Sequence, residues 1–329
     1  MFDVIAVGSA TVDVFARTNF SELIKIFDSK GETDLVAYPV GAKLLLEELN
    51  FTTGGGATNA AVCLTNLGHK VACISKIGTG PSAEQVIRDL KKYRINTSML
   101  VQGKGDRTGY SIILDSRAND RTILTFKGSN NDLDWRDIQK SKLKTKWFYF
   151  STMLEKSFRT QEKLAEFAQK NKIKITFNAS SYLAKKGPVF LKNILSKTDI
   201  FVLNKDEAKL LTKKESIKDL LKTISSYGPK IVIITDGKNP FYAYDGSCMY
   251  SGMPPKVKVV ETTGAGDAFA ASFLSGIIKK NDIGFALQLA ATNAVSVIQH
   301  HGAKTKLLGY ADSLKSMNHY KIKIKKDIL

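Results

Sequence analysis

Short runs of consecutive apolar residues alternate along the chain with longer segments in which apolar residues recur at helical spacing. The apolar runs predict strands at residues 4–7, 71–76, 147–151, 173–177, 200–203 and 230–235. The segments between them predict helices at 57–67, 83–93, 159–170, 188–195, 206–211 and 217–226, and a long apolar helix at 285–299 follows. Continuous apolar strands that alternate with helices are typical of a mostly parallel sheet covered on both faces. The pattern therefore predicts an α/β fold.

Two segments interrupt this alternation. Residues 14–50 mix polar and apolar positions, and residues 105–127 contain two β-prone stretches, 108–115 and 120–126. These two stretches predict a hairpin with its turn near residues 118–120. From the residues alone, both segments are surface hairpins inserted into a single domain that spans residues 1–329.

The composition places limits on location. The 329 residues contain no stretch that approaches the roughly 20 consecutive apolar residues of a membrane span. Residues 1–8 carry an acid too early for a secretory signal and predict a buried strand instead. Cys63, Cys73 and Cys248 lie in apolar surroundings without metal-ligand spacing, which is typical of a reducing cytoplasm.

The net charge of +18 suggests a nucleic-acid partner. The lysines are dispersed, however, and only residues 321–326 are strongly basic. No helix-turn-helix, zinc-finger or RNP-type pattern accompanies them, and the four histidines lack zinc spacing. We therefore expect solvated lysines, some steering of anionic nucleotides, and no nucleic-acid partner.

The sequence TTGAGDAF at residues 262–269 carries the strongest chemical signal. Residues 257–260 predict a strand before it and residues 268–278 predict a helix after it. Gly264 and Gly266 allow a sharp turn, which leaves the N–H groups of Ala265, Gly266 and Asp267 uncovered at the helix N-terminus, where they attract a phosphate or a developing oxyanion. Asp267 is then a candidate general base. The alternative is that Asp267 only caps its helix.

Two common nucleotide motifs are absent from the sequence. No Gly-x-x-x-x-Gly-Lys-Ser/Thr run occurs, which excludes a P-loop enzyme. The glycines at 264 and 266 lack the third small residue and the later acid of a Rossmann fingerprint.

A second motif, GGGATNAA at residues 54–61, precedes Leu67-Gly68 and residues 76–78. Together these resemble the N-terminal signature of the PfkB (ribokinase-like) carbohydrate kinases, and residues 262–269 are similar to the C-terminal signature of that family. The resemblance extends from about residue 7 to residue 304. It implies a ribokinase-like fold, with both insertions forming a small β lid over the sugar.

The resemblance also implies an activity. The chain is expected to be an ATP-dependent phosphotransferase that uses Mg²⁺ and phosphorylates a sugar hydroxyl. A nucleoside (adenosine-type) kinase is the alternative, and a non-catalytic sugar sensor is disfavoured by the intact Asp267. A homodimer formed through the lid is allowed.

On the acceptor side, the resemblance implies that Asp13, Gly55 and Asn59 line the sugar pocket and that Glu155 is an additional sugar-contacting acid. Asp13 is placed at the end of the first predicted strand, where a turn-forming aspartate is the alternative. Carboxylate and amide side chains suit vicinal hydroxyls, because they accept or donate two hydrogen bonds side by side. Asn178 is also expected to point toward the cleft.

On the donor side, Asn204 and Glu207 match the Asn-x-x-Glu motif of the family, which holds hydrated Mg²⁺ and nearby phosphates through water. A helix start capped by Asn204 is the local alternative. Thr235 and Gly237 resemble the nucleotide loop of the family. Asn293 would lie near the nucleoside, or would instead satisfy a hydrogen bond in the core.

The chain departs from ribokinases at two positions. Ribokinases usually carry a lysine where this chain has Gly56, and an aspartate that binds a monovalent cation where this chain has Glu261. K⁺ activation is therefore left open, and ribose is not the default substrate. The sequence does not identify the acceptor or the hydroxyl that is phosphorylated.

Overall fold

The computed structural model describes residues 1–20, 22–28, 31–105, 107–115 and 121–329. Its strands are, in chain order, β1 (Phe2–Val7), β2 (Thr11–Arg17), β3 (Glu22–Asp28), β4 (Gly31–Ala37), β5 (Glu48–Gly54), β6 (Val71–Ile74), β7 (Lys76–Ile77), β8 (Val101–Gln102), β9 (Gly109–Asp115), β10 (Arg121–Phe126), β11 (Thr145–Ser151), β12 (Lys174–Asn178), β13 (Ile200–Asn204), β14 (Ile231–Thr235), β15 (Phe241–Tyr244), β16 (Cys248–Gly252) and β17 (Ile324–Ile328). Its helices are α1 (Gly56–Asn66), α2 (Pro81–Lys92), α3 (Glu155–Lys170), α4 (Ser181–Ala184), α5 (Gly187–Leu195), α6 (Lys205–Thr212), α7 (Ile217–Ser225), α8 (Ala265–Lys280), α9 (Ile283–Ile298) and α10 (Tyr310–Tyr320).

Within the described residues, nine strands form a central sheet in the order β17-β16-β15-β14-β13-β12-β11-β1-β6. The strands from β6 to β14 are parallel to their neighbours, whereas β15, β16 and β17 continue the sheet in antiparallel pairs. This confirms the predicted mostly parallel sheet. The antiparallel edge was not predicted, because its strands are short and only partly apolar.

Both faces of the central sheet are buried. Along β11, Tyr149 belongs to the core cluster on one face, while Phe148 and Phe150 belong to the cluster on the other. Successive side chains of a strand point to opposite faces, so a strand covered on both faces must be apolar throughout. None of the helices in the described ranges combines the length and the apolar character that a membrane span requires.

A second sheet, in the order β10-β9-β2-β5, lies apart from the central sheet, and β3 pairs with β4 in a separate hairpin. The predicted position of Asp13 at the end of the first strand is wrong. β1 ends at Val7, and Asp13 is in β2, paired with Thr52 of β5 and Ser111 of β9. The antiparallel pair β9–β10 matches the predicted hairpin, whose turn at residues 118–120 lies outside the described residues.

The strand predicted at residues 257–260 is wrong. This stretch runs without strand pairing, and the N–H groups of Val260 and Glu261 donate to the carbonyl oxygen of Ile298 at 2.8 and 3.1 Å. Val259 and Val260 remain exposed. The chain at these β-branched residues is therefore hydrogen-bonded to the C-terminal end of α9 and does not join a sheet.

Candidate active site

Polar residues collect where the parallel strands end. Asn178 ends β12, Asn204 ends β13 and Thr235 ends β14. In open α/β sheets, the crevice beyond the carboxyl ends of the strands is where ligands bind. The first turn of α8, which contains Asp267, faces the same edge, because Asp267 bonds to Asn178.

The carboxylate of Asp267 is held by two amides from other elements. Asn59 Nδ2 donates to Oδ2 at 2.9 Å, and Asn178 Nδ2 donates to Oδ1 at 3.1 Å. Burial raises the pKa of Asp267 to about 6, although both amide hydrogen bonds act in the opposite direction. A carboxylate that exchanges a proton near neutral pH is suited to general acid–base chemistry.

The two glycines of the TTGAGDAF motif differ in what they do. Gly264 has φ +81°, and a Cβ on it would lie 2.6 Å from Ala303 Cα, so this position requires glycine. Gly266 lies within the helix and has no atom within 4 Å of a built Cβ, so the predicted sharp turn depends on Gly264 alone. The Ala265 N–H donates to the Thr262 carbonyl oxygen at 3.3 Å.

Asp13 lies in the second sheet and is buried. Burial raises its pKa, opposed first by the Thr11 hydroxyl, which donates to Asp13 Oδ1 at 2.9 Å. A Cβ on Gly54 would lie 1.8 Å from Asp13 Oδ2, and a Cβ on Gly55, where φ is +99°, would lie 2.4 Å from the Ser9 carbonyl oxygen. The glycine run therefore lets the chain from β5 to α1 pass directly against Asp13.

Glu155 is the exposed first residue of α3, just after β11. Its φ of +53° is left-handed, which is uncommon for a residue with a Cβ. Within the described ranges, no hydrogen bond or ion pair links Glu155 to Asp13, Asn59 or Asp267. The structure thus brings Asn59 and Asp267 into contact but does not join Glu155 to them.

Asn204 and Glu207 form a reciprocal cap at the start of α6. Glu207 N–H donates to Asn204 Oδ1 at 2.8 Å, and Asn204 N–H donates to Glu207 Oε2 at 2.9 Å. Burial raises the pKa of Glu207, and the negative charges of Asp206 and Asp267 act in the same direction. The helix start named as the local alternative is therefore present, and Glu207 is also within electrostatic reach of Asp267.

Two other predicted nucleotide residues lie at the end of the next strand, β14, and in the turn after it. Thr235 is the register partner of Asn204, so both lie at the same level of the sheet edge. Gly237 follows in a turn with φ +55°, where a Cβ would meet no atom within 4 Å. The loop is therefore open at this point.

Asn293 is fully buried in α9. Its Nδ2 donates to Ser313 Oγ at 3.1 Å, and its Oδ1 accepts from the Leu308 N–H at 3.0 Å. Its amide is thus bonded to protein partners in the core.

A cleft of about 810 Å³ separates the second sheet from two loops, the one that precedes α8 and the one that follows α9. Phe15, Phe51 and Ile113 line one side, and Glu261 and His301 line the other. The buried carboxylate of Glu261 accepts the Gly302 N–H at 2.9 Å and lies 3.6 Å from His301 Nδ1.

A buried cation near Asp13 was not predicted from the sequence. Lys304 Nζ lies 2.6 Å from Thr53 Oγ1 and 2.7 Å from Asp89 Oδ2, and Asp13 is also within its electrostatic reach. Thr53 directly precedes the glycine run. No local pattern marks this lysine among the many others, because its partners come from β5 and α2.

This chain is similar to known carbohydrate kinases along most of its length. The model of the pfkB family carbohydrate kinases matches residues 21–308. A ribokinase of Staphylococcus aureus (strain COL) is 27% identical over 312 residues, which cover 92% of this chain and 96% of that protein. A 5-dehydro-2-deoxygluconokinase of Clostridium perfringens is 29% identical over 306 residues, covering 84% and 90%.

A solved structure has the same fold. Arabidopsis thaliana ribokinase complexed with ribose and ATP superposes with a TM-score of 0.78 at 16% identity, covering 96% of this chain and 98% of that one. The family match extends over most of the chain, including both glycine-rich motifs. This protein therefore belongs to the pfkB family of carbohydrate kinases, which are phosphotransferases that use ATP.

Proposed function

We propose that this carbohydrate kinase transfers the γ-phosphoryl group of ATP to a sugar hydroxyl, with Asp267 as the general base. The observation that carries the proposal is the Asp267 carboxylate, fixed by Asn59 and Asn178 at the N-terminus of α8 with its pKa raised to about 6. The hydroxyl proton passes to Asp267, the hydroxyl oxygen forms the new bond to phosphorus, and the bond between the γ-phosphorus and the bridging oxygen breaks to leave ADP. The N–H groups of Gly266 and Asp267 in the Gly264–Asp267 turn stabilise the transferring oxygens, while the Ala265 N–H, which donates to Thr262, shapes the turn.

On the acceptor side, Asp13, Asn59 and the Gly55 backbone bind the sugar hydroxyls. Asn59 Oδ1 and Ser151 Oγ support this assignment, because both are buried and neither has a protein partner in the described ranges. Buried polar atoms are normally hydrogen-bonded, and a polyhydroxylated ligand supplies the missing partners. Glu155 contributes from the start of α3, where its left-handed backbone holds it at the rim.

On the donor side, Thr235 and Gly237 form the nucleotide loop, and Asn293 supports the wall behind it. Asn204 and Glu207 hold Mg²⁺ through water. The fit is chemical, because Glu207 offers a carboxylate of the kind that binds Mg²⁺ together with waters and substrate phosphates. When bound, Mg²⁺ offsets the charge of the triphosphate.

The second sheet acts as the lid over the acceptor, which places Asp13 on the moving element. Two copies of the chain associate through this lid, because its outer residues are rich in exposed apolar side chains, including Leu49, Ile112 and Leu124. The free cysteines Cys63, Cys73 and Cys248 agree with a reducing, cytoplasmic location.

A nucleoside is the second candidate acceptor. The apolar wall of the cleft, formed by Phe15, Phe51 and Ile113, favours a flat base as well as a sugar. The experiment that decides is a screen of ATP consumption with the purified protein against a panel of sugars, sugar acids and nucleosides. Turnover with a carbohydrate alone supports the proposal, turnover with a nucleoside alone supports the alternative, and ligand binding without turnover would indicate a sensor.

Replacing Asp13 with asparagine is expected to raise the acceptor KM by about tenfold to more than a hundredfold, because a charged acceptor of hydroxyl hydrogen bonds contributes roughly 1.5–3 kcal/mol. The KM for ATP should remain nearly unchanged, since the nucleotide loop lies at the other strand ends. Steady-state kinetics with each substrate varied in turn check this. A raised KM for ATP with a constant acceptor KM would mean that Asp13 belongs to the ATP site and not to the acceptor site.

Exchanging K⁺ for a bulky organic cation is expected to change the rate only slightly. Glu261 is longer than the aspartate of ribokinases, and its carboxylate already accepts the Gly302 N–H. The rate is measured at constant ionic strength and constant Mg²⁺. A many-fold loss of activity in the absence of K⁺ would show that Glu261 still builds a working monovalent site.

A further inference from the structure

Lys127 links the second sheet to α4, which lies close to the carboxyl ends of the parallel strands. It follows β10 in the second sheet and is half-buried. Its Nζ lies 5.1 Å from the ring centroid of Tyr182, in α4. Tyr182 comes shortly after Asn178, which bonds to Asp267. The ammonium group therefore lies between the second sheet and the strand ends that carry the candidate base.

This ammonium has no counter-ion in the described part of the chain. No carboxylate there lies within 4.0 Å of Lys127 Nζ. Burial lowers the pKa of Lys127, and only the more distant negative charge of Asp13 opposes that effect. Lys304 is the informative contrast, because it is also buried near Asp13 but bonds to Asp89 Oδ2 at 2.7 Å.

A half-buried charge without a partner is costly, and proteins normally pair such charges or expose them. The ring of Tyr182 offsets part of the cost through a cation–π contact. Asp13 acts on Lys127 only at a distance, since its carboxylate is not within ion-pair distance of Lys127 Nζ, and so it offsets only part of the remainder. An anion on the ligand would complete the site.

We propose that the acceptor is a sugar acid whose carboxylate binds the ammonium group of Lys127, while its reacting hydroxyl lies at Asp267. This rests on the carbohydrate kinase function proposed above and specifies its substrate class. A carboxylate matches the site better than a phosphate, because one ammonium group balances one negative charge. Phosphate groups are usually held by several donors or by a bidentate arginine.

The test compares sugar acids with uncharged analogues of the same skeleton. D-gluconate and 2-dehydro-3-deoxy-D-gluconate are each assayed as the carboxylate and as the primary amide, with ribose and ribose 5-phosphate as further acceptors. Phosphorylation is followed by ADP release, and binding is followed by calorimetry. The proteins are the wild type, Lys127→Met, Lys127→Arg and Lys140→Met. Lys140 is the matched control, because its Nζ also lies over an aromatic ring, that of Trp135 at 4.8 Å, but at an exposed position.

The wild type and Lys140→Met are expected to bind an acid about tenfold to a hundredfold more tightly than its amide. Lys127→Met should lose that preference without a change in the KM for ATP, and Lys127→Arg should retain much of it. Preference for ribose or ribose 5-phosphate over every acid, or an unchanged preference for acids in Lys127→Met, would overturn the inference while leaving the kinase function intact. Lys127-dependent binding of an acid without phosphorylation of any carbohydrate would instead contradict the proposed function and support the Lys127 site.

Discussion

Replacing Asp267 with asparagine is expected to lower turnover by a factor on the order of 10²–10⁴, the usual contribution of a positioned base. The fold should persist, because asparagine has nearly the same shape. One of the two amides can still donate to its carbonyl oxygen, and the other can turn over and accept from its new NH2 group. ATP binding should also persist. Turnover of the variant with the best acceptor of the screen, together with calorimetric ATP affinity, measures both. Near-normal turnover would remove Asp267 from the role of base.

The pH dependence provides a second readout of the same residue. The base must be ionised, so kcat/KM of the wild type, which reports the free enzyme, is expected to fall as the pH drops below about 6, and the Asp267→Asn variant should lack this limb. Because the folded-state pKa lies above that of an ordinary aspartate, folding favours the protonated form. The stability that Asp267 contributes is therefore present at low pH and is lost as the pH rises through about 6. A rate limb that persists unchanged in the variant would assign it to another group.

Replacing Gly264 with alanine is expected to reduce turnover on the order of 10²-fold, because a displacement of about 1 Å at the reacting groups has an effect of that size. Alanine disfavours the left-handed conformation that Gly264 adopts, and its Cβ would lie 2.6 Å from Ala303 Cα. The backbone that presents the first turn of α8 must therefore shift. Thermal unfolding is expected to show some loss of stability as well.

Gly266→Ala is the matched control for this substitution. It lies in the same motif but has helical backbone and open space around a built Cβ, and alanine favours a helix more than glycine does. We expect it to keep the stability of the wild type and most of its turnover. Equal losses of turnover in the two variants would indicate that any side chain added near the phosphates causes the loss, and that the Gly264 turn is not its cause.

Most of the fold could be predicted from local sequence, and the errors have physical causes. Strands such as β13 and β14 are buried on both faces, so their continuous apolar runs stand out from the helices around them. The stretch at residues 257–260 has equally high β-propensity but lies in a loop, because its N–H groups find their acceptor at the end of α9. A high β-propensity shows only that a segment is compatible with a strand. Whether it forms one depends on the hydrogen-bond partner that the fold places next to it.

The candidate site divides in the same way. The sequence by itself identified the two glycine-rich motifs, Asp267 as the candidate base and the family. Short runs of glycine and polar residues are enough for this, because they carry the information locally. Only the tertiary structure decided that Asn59 meets Asp267 across 208 residues and that the amide of Asn293 bonds to partners in the core. It also decided that Lys304 pairs with Asp89, while Lys127 lies beside Tyr182 with no counter-ion among the described residues. These are contacts between side chains of distant elements. They depend on the register and packing of strands and helices, which set the distance between two charges and the burial of each, and no local pattern records either quantity.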